Sequence, residues 1–295
     1  QCMIVKNEEK NIRRALSWGK DIMCEQIVVD TGSSDRTVEI AREMGAKIFS
    51  FPWINDFAAA KNFAIDQAKG DWIAFLDADE SFTPEDAAKI PEILEYVGED
   101  VDGLLTGIVD LDENNNITSG GTMIRFFVNR PDLRYVGKIH EHLVRKGRSG
   151  LHLTDATKQL AFLHTGYQEQ EKRDKSKFER NLNIILEILK QEPENCDYLG
   201  YLGDTYSSDG KNEEARDAYK KAVAAMPEKL GVYDQRSSYT YTNLLRVSQC
   251  LNAPEAEVEA IYKEAVEKLP KEPDFDCVMG EWYWRKGQYR CMNWL

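Results

Sequence analysis

"QIVVDTGSSDRTVEIAREMG", residues 26–45, sets the reading of the fold. Gln26 to Val29 form a short apolar run of strand length. "DTGSSD" is a polar turn, and Asp35 reads as the N-cap of a helix continuing to Met44. The same plan recurs on either side. "CMIVKNEEKNIRRAL" (2–16) is a strand, a polar turn and a helix starting near Glu9. "AKIFSF" (46–51) is a short strand, and "DFAAAKNFAIDQAKG" (56–70) is a helix closed by Gly70. "DWIAFLDADE" (71–80) is a fourth strand. Strands separated by helices predict an α/β domain with a parallel open sheet covered on both faces. Ligands of such sheets bind at the carboxyl ends of the strands. The turns holding Asn7, Asp30, Asp77 and Asp79 therefore converge on one edge.

After about residue 170 the strand signal stops and helices dominate. In "CDYLGYLGDTYSSDGKNEEARDAYKKAVAAMPEK" (196–229), Leu202, Gly203, Tyr206, Ala215, Tyr219, Ala222 and Pro227 fall on the spacing of a 34-residue tetratricopeptide repeat. A looser unit follows from about 239 to 272, with Leu245, Tyr262, Ala265 and Pro270 in register and a longer turn expected at "CLNAPEAE". A third starts near Pro273. The expected organisation is a sheet domain over 1–168 and an all-α repeat domain over 169–295.

The chain has 295 residues, enough for about two domains of ~150. A net charge of -13 argues against general nucleic-acid binding, which needs a basic face. No apolar run reaches the ~18 residues of a membrane span. The six cysteines are scattered without a CxxC pair, which reads as reduced thiols in a cytoplasmic protein. Both ends read as trimmed: residue 1 lies just before a strand, and the last residues stop inside a helix pair. The lack of a targeting signal therefore decides nothing.

"FLDADE" (75–80) ends an apolar strand in three carboxylates that must be compensated by water, a basic residue or a cation. Asp77 and Asp79 are compatible with a solvated turn, or with a Mg2+ or Mn2+ site completed by diphosphate oxygens and water. All four histidines lie late in the chain: His140, His142, His152 and His164. As a strand, "KIHEHL" (138–143) would put His140 and His142 on one face and Glu141 on the other. Zinc at the two histidines would lack third and fourth ligands.

"CMIVKNEEKNI", "VVDTGSSDRTVEIA", "DFAAAKNFAIDQAKGDWIAFLDADE" and "RYVGKIHEHL", in that order, resemble a family 2 glycosyltransferase of the GT-A fold. More narrowly, they are similar to the bacterial branch in which that domain precedes tetratricopeptide repeats. The resemblance implies inverting transfer of a sugar from a nucleotide diphosphate donor, usually UDP, with Mn2+ or Mg2+. It implies that Asp30 reads the base and that Val5, Lys6, Asn7 and Glu8 line the base and ribose. Lys61, at the position of a family arginine, falls near the diphosphate. Asp77 and Ala78 join the nucleotide-sugar site, Asp79 ligates the metal, and His164 closes the metal site. Glu141 is the catalytic base, with Asp155 as a rival and a salt bridge to Lys138 or Arg145 as the plain alternative. His164 is also readable as a packed residue, and Arg125, Arg130 and Arg134 either as an alternative electrostatic aid to the metal or as solvated charges. Trp53 stacks on ligand or simply packs.

The expected activity is a metal-dependent UDP-sugar transferase acting on a protein, peptide or saccharide. The repeats would hold the acceptor or make a homodimer. Competing readings are a non-catalytic repeat scaffold and a nucleotidyltransferase. The latter would carry a Gly-rich basic loop after the first strand, where this chain has "VKNEEKNI". Metal affinity is expected to be weak until nucleotide arrives, because only then would the carboxylate repulsion be relieved.

Overall fold

A computed structural model describes residues 1–98, 100–165, 175–231 and 234–287. The chain divides into two compact units, Gln1–Arg173 and Asp174–Leu295. The expected boundary at 168/169 lies outside the described residues, as does Cys291.

The first unit opens with three parallel strands, β1 (Cys2–Val5), β2 (Ile27–Asp30) and β3 (Lys47–Ser50), paired in chain order. Helices α1 (Ile12–Ser17) and α2 (Thr37–Glu43) make the crossovers between them. Both are shorter than their sequence patterns. The Glu8 carbonyl starts α1 by accepting from Asn11 and Ile12 N–H. Asp35 lies just before the N-cap Arg36, its carboxylate accepting from Thr37 N–H at 3.0 Å. Helix α3 (Phe57–Asp66) is capped by Asp56, which accepts from Ala59 N–H. It ends at Gln67, three residues before the Gly70 expected to close it.

A second, mixed sheet corrects the all-parallel expectation. Its strands are β4 (Trp72–Ala74), β5 (Glu80–Phe82), β6 (Gly103–Leu111), β7 (Ile117–Val128), β10 (Leu153–Asp155) and β11 (Ala161–His164). The order is β4-β7-β6-β11-β5, with β10 against β6. Strands β6 and β7 are antiparallel because their link is too short for a crossover. The Asp112 carboxylate tightens that link, accepting from Asn114 and Asn116 N–H at 2.8 Å each. A parallel bridge between Cys2 and Phe75 joins the two sheets. Helix α4 (Pro84–Tyr96) starts at its N-cap Thr83, with Pro84 in the first turn. Strands β8 (Leu133–Val136) and β9 (His142–Arg145) form a separate hairpin.

The second unit is helical: α5 (Lys175–Gln191), α6 (Cys196–Ser208), α7 (Asn212–Ala225), α8 (Gln235–Cys250), α9 (Glu255–Lys268) and α10 (Asp274–Arg285). The repeat positions explain the packing. A Cβ on Gly203 would lie 2.4 Å from the Tyr219 ring, so α6 and α7 approach this closely only with glycine there. Tyr219, Tyr241, Phe275 and Tyr283 fill the core. The α8–α9 turn spans 251–254, one residue longer than the α6–α7 turn at 209–211. The irregular "CLNAPEAE" anticipated this.

Candidate active site

The turn between β4 and β5 carries Asp77, Ala78 and Asp79. Glu80 N–H donates to the Asp77 carbonyl at 3.1 Å, and Asp77 N–H donates back to Glu80 Oε2 at 3.0 Å. Ala78 is buried with Met3, Val5 and Ile12. Its two neighbouring aspartates are both partly exposed.

The clustered charges are compensated by the protein itself, which corrects the expectation that only metal and nucleotide relieve their repulsion. Arg125, read from sequence as an electrostatic aid or a solvated charge, is buried on β7. It donates to Asp77 Oδ2 at 3.0 Å and also to Glu80. Lys61 on α3 contributes a second cation, its side chain only 7% exposed. Its Nζ lies 2.7 Å from Glu141 Oε1 and 3.9 Å from Asp77 Oδ1. The same ammonium sits over the Phe75 and Tyr135 rings at 5.2 and 5.0 Å. Burial alone would lower the Lys61 pKa, but Asp77, Tyr135 and Glu141 outweigh it and raise the value. The Asp77 carboxylate is 41% exposed. Desolvation pushes it up, yet Lys61 and Arg125 prevail and hold it near about 2. Glu80 goes the other way, with burial first and Asp77 beside it raising it to about 7 against the pull of Arg125.

Glu141 does not lie in a strand. His140 has a left-handed backbone (φ 54°) and β9 begins only at His142, so the expected strand alternation fails. Glu141 pairs with Lys61 rather than with Lys138 or Arg145. Arg145 instead pairs with Asp102 at 2.8 Å and Asp132 at 3.2 Å. The segment is fastened to α3: Phe57 N–H donates to the Lys138 carbonyl at 2.8 Å. Asn62 also bonds both the N–H and the carbonyl of Tyr135 at 2.9 Å.

His164 ends β11, opposite Asp110 of β6. Its Nε2 lies 3.3 Å from Asp79 Oδ2, and its Nδ1 lies 2.8 Å from Asp110 Oδ1. The Asp79 bond, opposed by burial and reinforced by Asp110, raises the imidazole pKa to about 9. Thr165 N–H and Oγ1 each donate to the Asp79 carbonyl at 3.1 Å. Arg14 of α1 donates to that Thr165 hydroxyl. Among the described residues no group of three or more His, Cys, Asp or Glu side chains could hold a metal ion. Asp79 and His164 are nevertheless a two-donor set. That suits Mg2+ or Mn2+ in nucleotide sites, where phosphate oxygens and water complete the shell. Among the described residues His140 and His142 belong to no such group either.

On the three-stranded sheet, Asp30 ends β2 and accepts from Gly32 and Ser33 N–H at 3.3 and 3.0 Å. Asn7, left-handed at φ 58°, accepts from Ser34 N–H at 2.8 Å, and its own N–H donates to Ser33 Oγ at 2.9 Å. The Glu8 carboxylate accepts from Asn11. Val5 is buried, and its carbonyl accepts from Thr31. Of two expected ligand-facing side chains, Asn7 thus engages the loop after β2 and Glu8 its own loop.

Asp155 stands apart. It pairs opposite Leu105 of β6, whereas His164 pairs opposite Asp110. Five strand residues separate them, on the order of 16 Å at ~3.3 Å each. Its carboxylate is turned into Thr157. Arg130 pairs with Asp132 and Arg134 with Asp66. Trp53 packs edge-on against Phe57 and donates to Asn55. The sequence reading missed Asp110 and the contacts that Arg125 makes with Asp77 and Glu80. A lone arginine inside the apolar "MIRFFV" was a usable signal for Arg125. Asp110 had none, because its partner lies 54 residues away.

The site lies on a mixed-sheet, GT-A-like domain followed by a tetratricopeptide-like helical region, and the chain belongs to glycosyl transferase family 2, whose profile matches residues 2–149, half of its length. It is 33% identical over 226 residues to the SPbeta prophage-derived glycosyltransferase SunS of Bacillus subtilis, covering 75% of this chain and 52% of that protein. It is 31% identical over 228 residues to a TPR repeat-containing protein of Synechococcus elongatus, covering 75% and 55% respectively. The chain spans about half the length of the curated relatives it matches. Among solved structures, S. aureus TarS 1–349 in complex with UDP-GlcNAc aligns with 98% of this chain and 91% of that one. That alignment has 15% identity and a TM-score of 0.47. No helix among the described residues is long and apolar enough to cross a membrane.

Proposed function

We propose that this protein is an inverting, metal-dependent glycosyltransferase that moves a sugar from a UDP-sugar to a protein, peptide or saccharide acceptor. The observation that carries the reading is the Lys61 ammonium, which bridges Glu141 and Asp77 and so holds a carboxylate beside the Asp77–Asp79 turn. Asp30 accepts the imide N–H of uracil; its carboxylate has about four lone-pair sites and two backbone donors leave capacity. Asp77 accepts from a ribose hydroxyl. The loops of Val5, Asn7, Glu8 and Ala78 shape the nucleotide pocket through backbone rather than side chain. Asp79 and His164 are the side chains that would hold Mn2+ or Mg2+, which when bound neutralises charge on the departing diphosphate.

Lys61 occupies Oε1 of Glu141 and leaves Oε2 to receive the acceptor hydroxyl proton. The acceptor oxygen bonds to the anomeric carbon from the face opposite the diphosphate. The carbon–oxygen bond to UDP breaks, and UDP leaves with that electron pair. The anomeric configuration inverts. The domain through about residue 168 performs this chemistry in a cytoplasmic setting. The repeats from 169 onward hold the acceptor or pair two copies of the chain.

Calorimetric titration with UDP, with and without Mn2+, tests the donor and metal. Binding in both conditions, tighter with Mn2+, is expected, and Asp79→Ala should remove the Mn2+ increment. No UDP binding in either condition would sink the reading. Glu141→Gln should keep UDP affinity and lose about 10²–10⁴-fold in donor turnover. Full turnover in that variant would reject Glu141 as the base.

A further inference from the structure

The carboxylate behind His164 has no part in the mechanism above. Asp110 lies on β6, five-sixths or more shielded from solvent, and reaches His164 Nδ1 at 2.8 Å. Its other oxygen accepts from Ser119 on β7.

We propose that Asp110 is a positioning residue that decides which nitrogen of His164 faces a cation at Asp79. This rests on the metal assignment of the preceding section. The hydrogen-bond network gives Nδ1 a proton that it donates to Asp110, which directs Nε2 towards Asp79. An imidazole ligates a metal through a nitrogen lone pair, so the tautomer and the ring angle must both be set from behind. β11 places the ring, because His164 pairs directly opposite Asp110 in the β6 register. β7 places the carboxylate, because Ser119 pairs with Asp110 in the adjoining register. The orienting device is therefore built across three neighbouring strands, β7, β6 and β11. Side chains two removes from the cation fix the donor atom without contacting it.

The test uses Mn2+ and UDP as probes on the whole chain. Electron paramagnetic resonance counts free Mn2+, and pulsed measurements read the 14N coupling of a coordinated imidazole. Wild type with UDP should show that coupling. Asp110→Ala should bind Mn2+ about 10–100-fold more weakly, with the coupling lost or altered, and should bind UDP alone as wild type does. Ser119→Ala, on an exposed stretch of β7, serves if Asp110→Ala does not fold. It should weaken Mn2+ in the same direction by a smaller factor. Wild-type Mn2+ affinity together with wild-type nitrogen coupling in the folded variants would overturn the role of Asp110. A wild-type spectrum without nitrogen coupling, alongside a loss of Mn2+ binding in Asp79→Ala, would instead overturn His164 as a ligand. Mn2+ binding unaffected by either change would overturn the metal reading itself.

Discussion

Replacing Lys61 by methionine keeps the stem and removes the charge that three elements share. At an effective dielectric of ~20, a pair at 2.7 Å is worth about 6 kcal/mol and one at 3.9 Å about 4 kcal/mol before desolvation. The second figure shrinks because the Asp77 carboxylate is 41% exposed. Desolvation of the buried ammonium and of Glu141, 13% exposed, cancels much of the rest in the intact protein. Removing one partner keeps the desolvation of Glu141 and loses its compensation, which costs about 3–5 kcal/mol. Hydrogen exchange at α3 and β4 amides reads this unit by itself, and a 4 kcal/mol loss appears as roughly 10³-fold faster exchange where opening is global. The double variant Lys61→Met/Glu141→Gln should recover most of it. The pH sign follows from the raised Lys61 value: its contribution is complete below the unfolded value of 10.5 and fades only above that. The gap between wild type and variant should hence stay constant from pH 8 to 10. A variant within about 0.5 kcal/mol of wild type, or a double variant no more stable than the single, would refute the bridge as an organising contact.

Three further outcomes follow from the same geometry. Glu80, raised to about 7 from 4.5, holds a proton in the folded protein that the unfolded chain releases. Wild type should lose up to about 3 kcal/mol relative to Glu80→Gln as pH rises through that window, and parallel urea-unfolding curves at pH 5 and 8 would contradict this. His164, raised to about 9 from 6.5, shifts stability in the same direction in metal-free protein, over a higher pH window. Its advantage over His164→Gln should be complete below pH 6.5 and fade as pH rises through about 9, which thermal melts at pH 6 and 9.5 would read. Gly203→Ala places a Cβ against the Tyr219 ring and should cost the helical unit about 1–3 kcal/mol or more, leaving exchange in β1 and β2 unchanged.

Much of the first unit was legible because its signals are short-range. Strands β1 to β4, the three helices between them and the turns after β1, β2 and β4 fall into strand–turn–helix units of about 20–25 residues, within which apolar period and turn chemistry are complete. The second sheet was not legible in this way. β4 pairs with β7 and β11 with β5, and nothing local in "WIA" or "AFLH" names those neighbours. The DxD-type turn was visible as a set of carboxylates, but their unequal states were not. Asp77 is ionised between two cations and Glu80 is pushed towards neutrality by burial, although both end the same apolar run.

The chain alone determined the α/β opening, the repeat register of the helical half and the clustering of carboxylates at the turn that ends the fourth apolar run. Each of these is a pattern with a period or a spacing, and a period survives without knowledge of what lies across from it. Only tertiary structure decided that Lys61 joins Glu141 to Asp77, that Arg125 is buried beneath the carboxylates, and that Asp110 stands behind His164. These contacts span 48 residues for Arg125 with Asp77 and 54 for Asp110 with His164. Hydrogen bonds and contact ion pairs form only within a few ångströms, so the partner of a charge is fixed by the sheet order that brings it near, not by its neighbours in sequence.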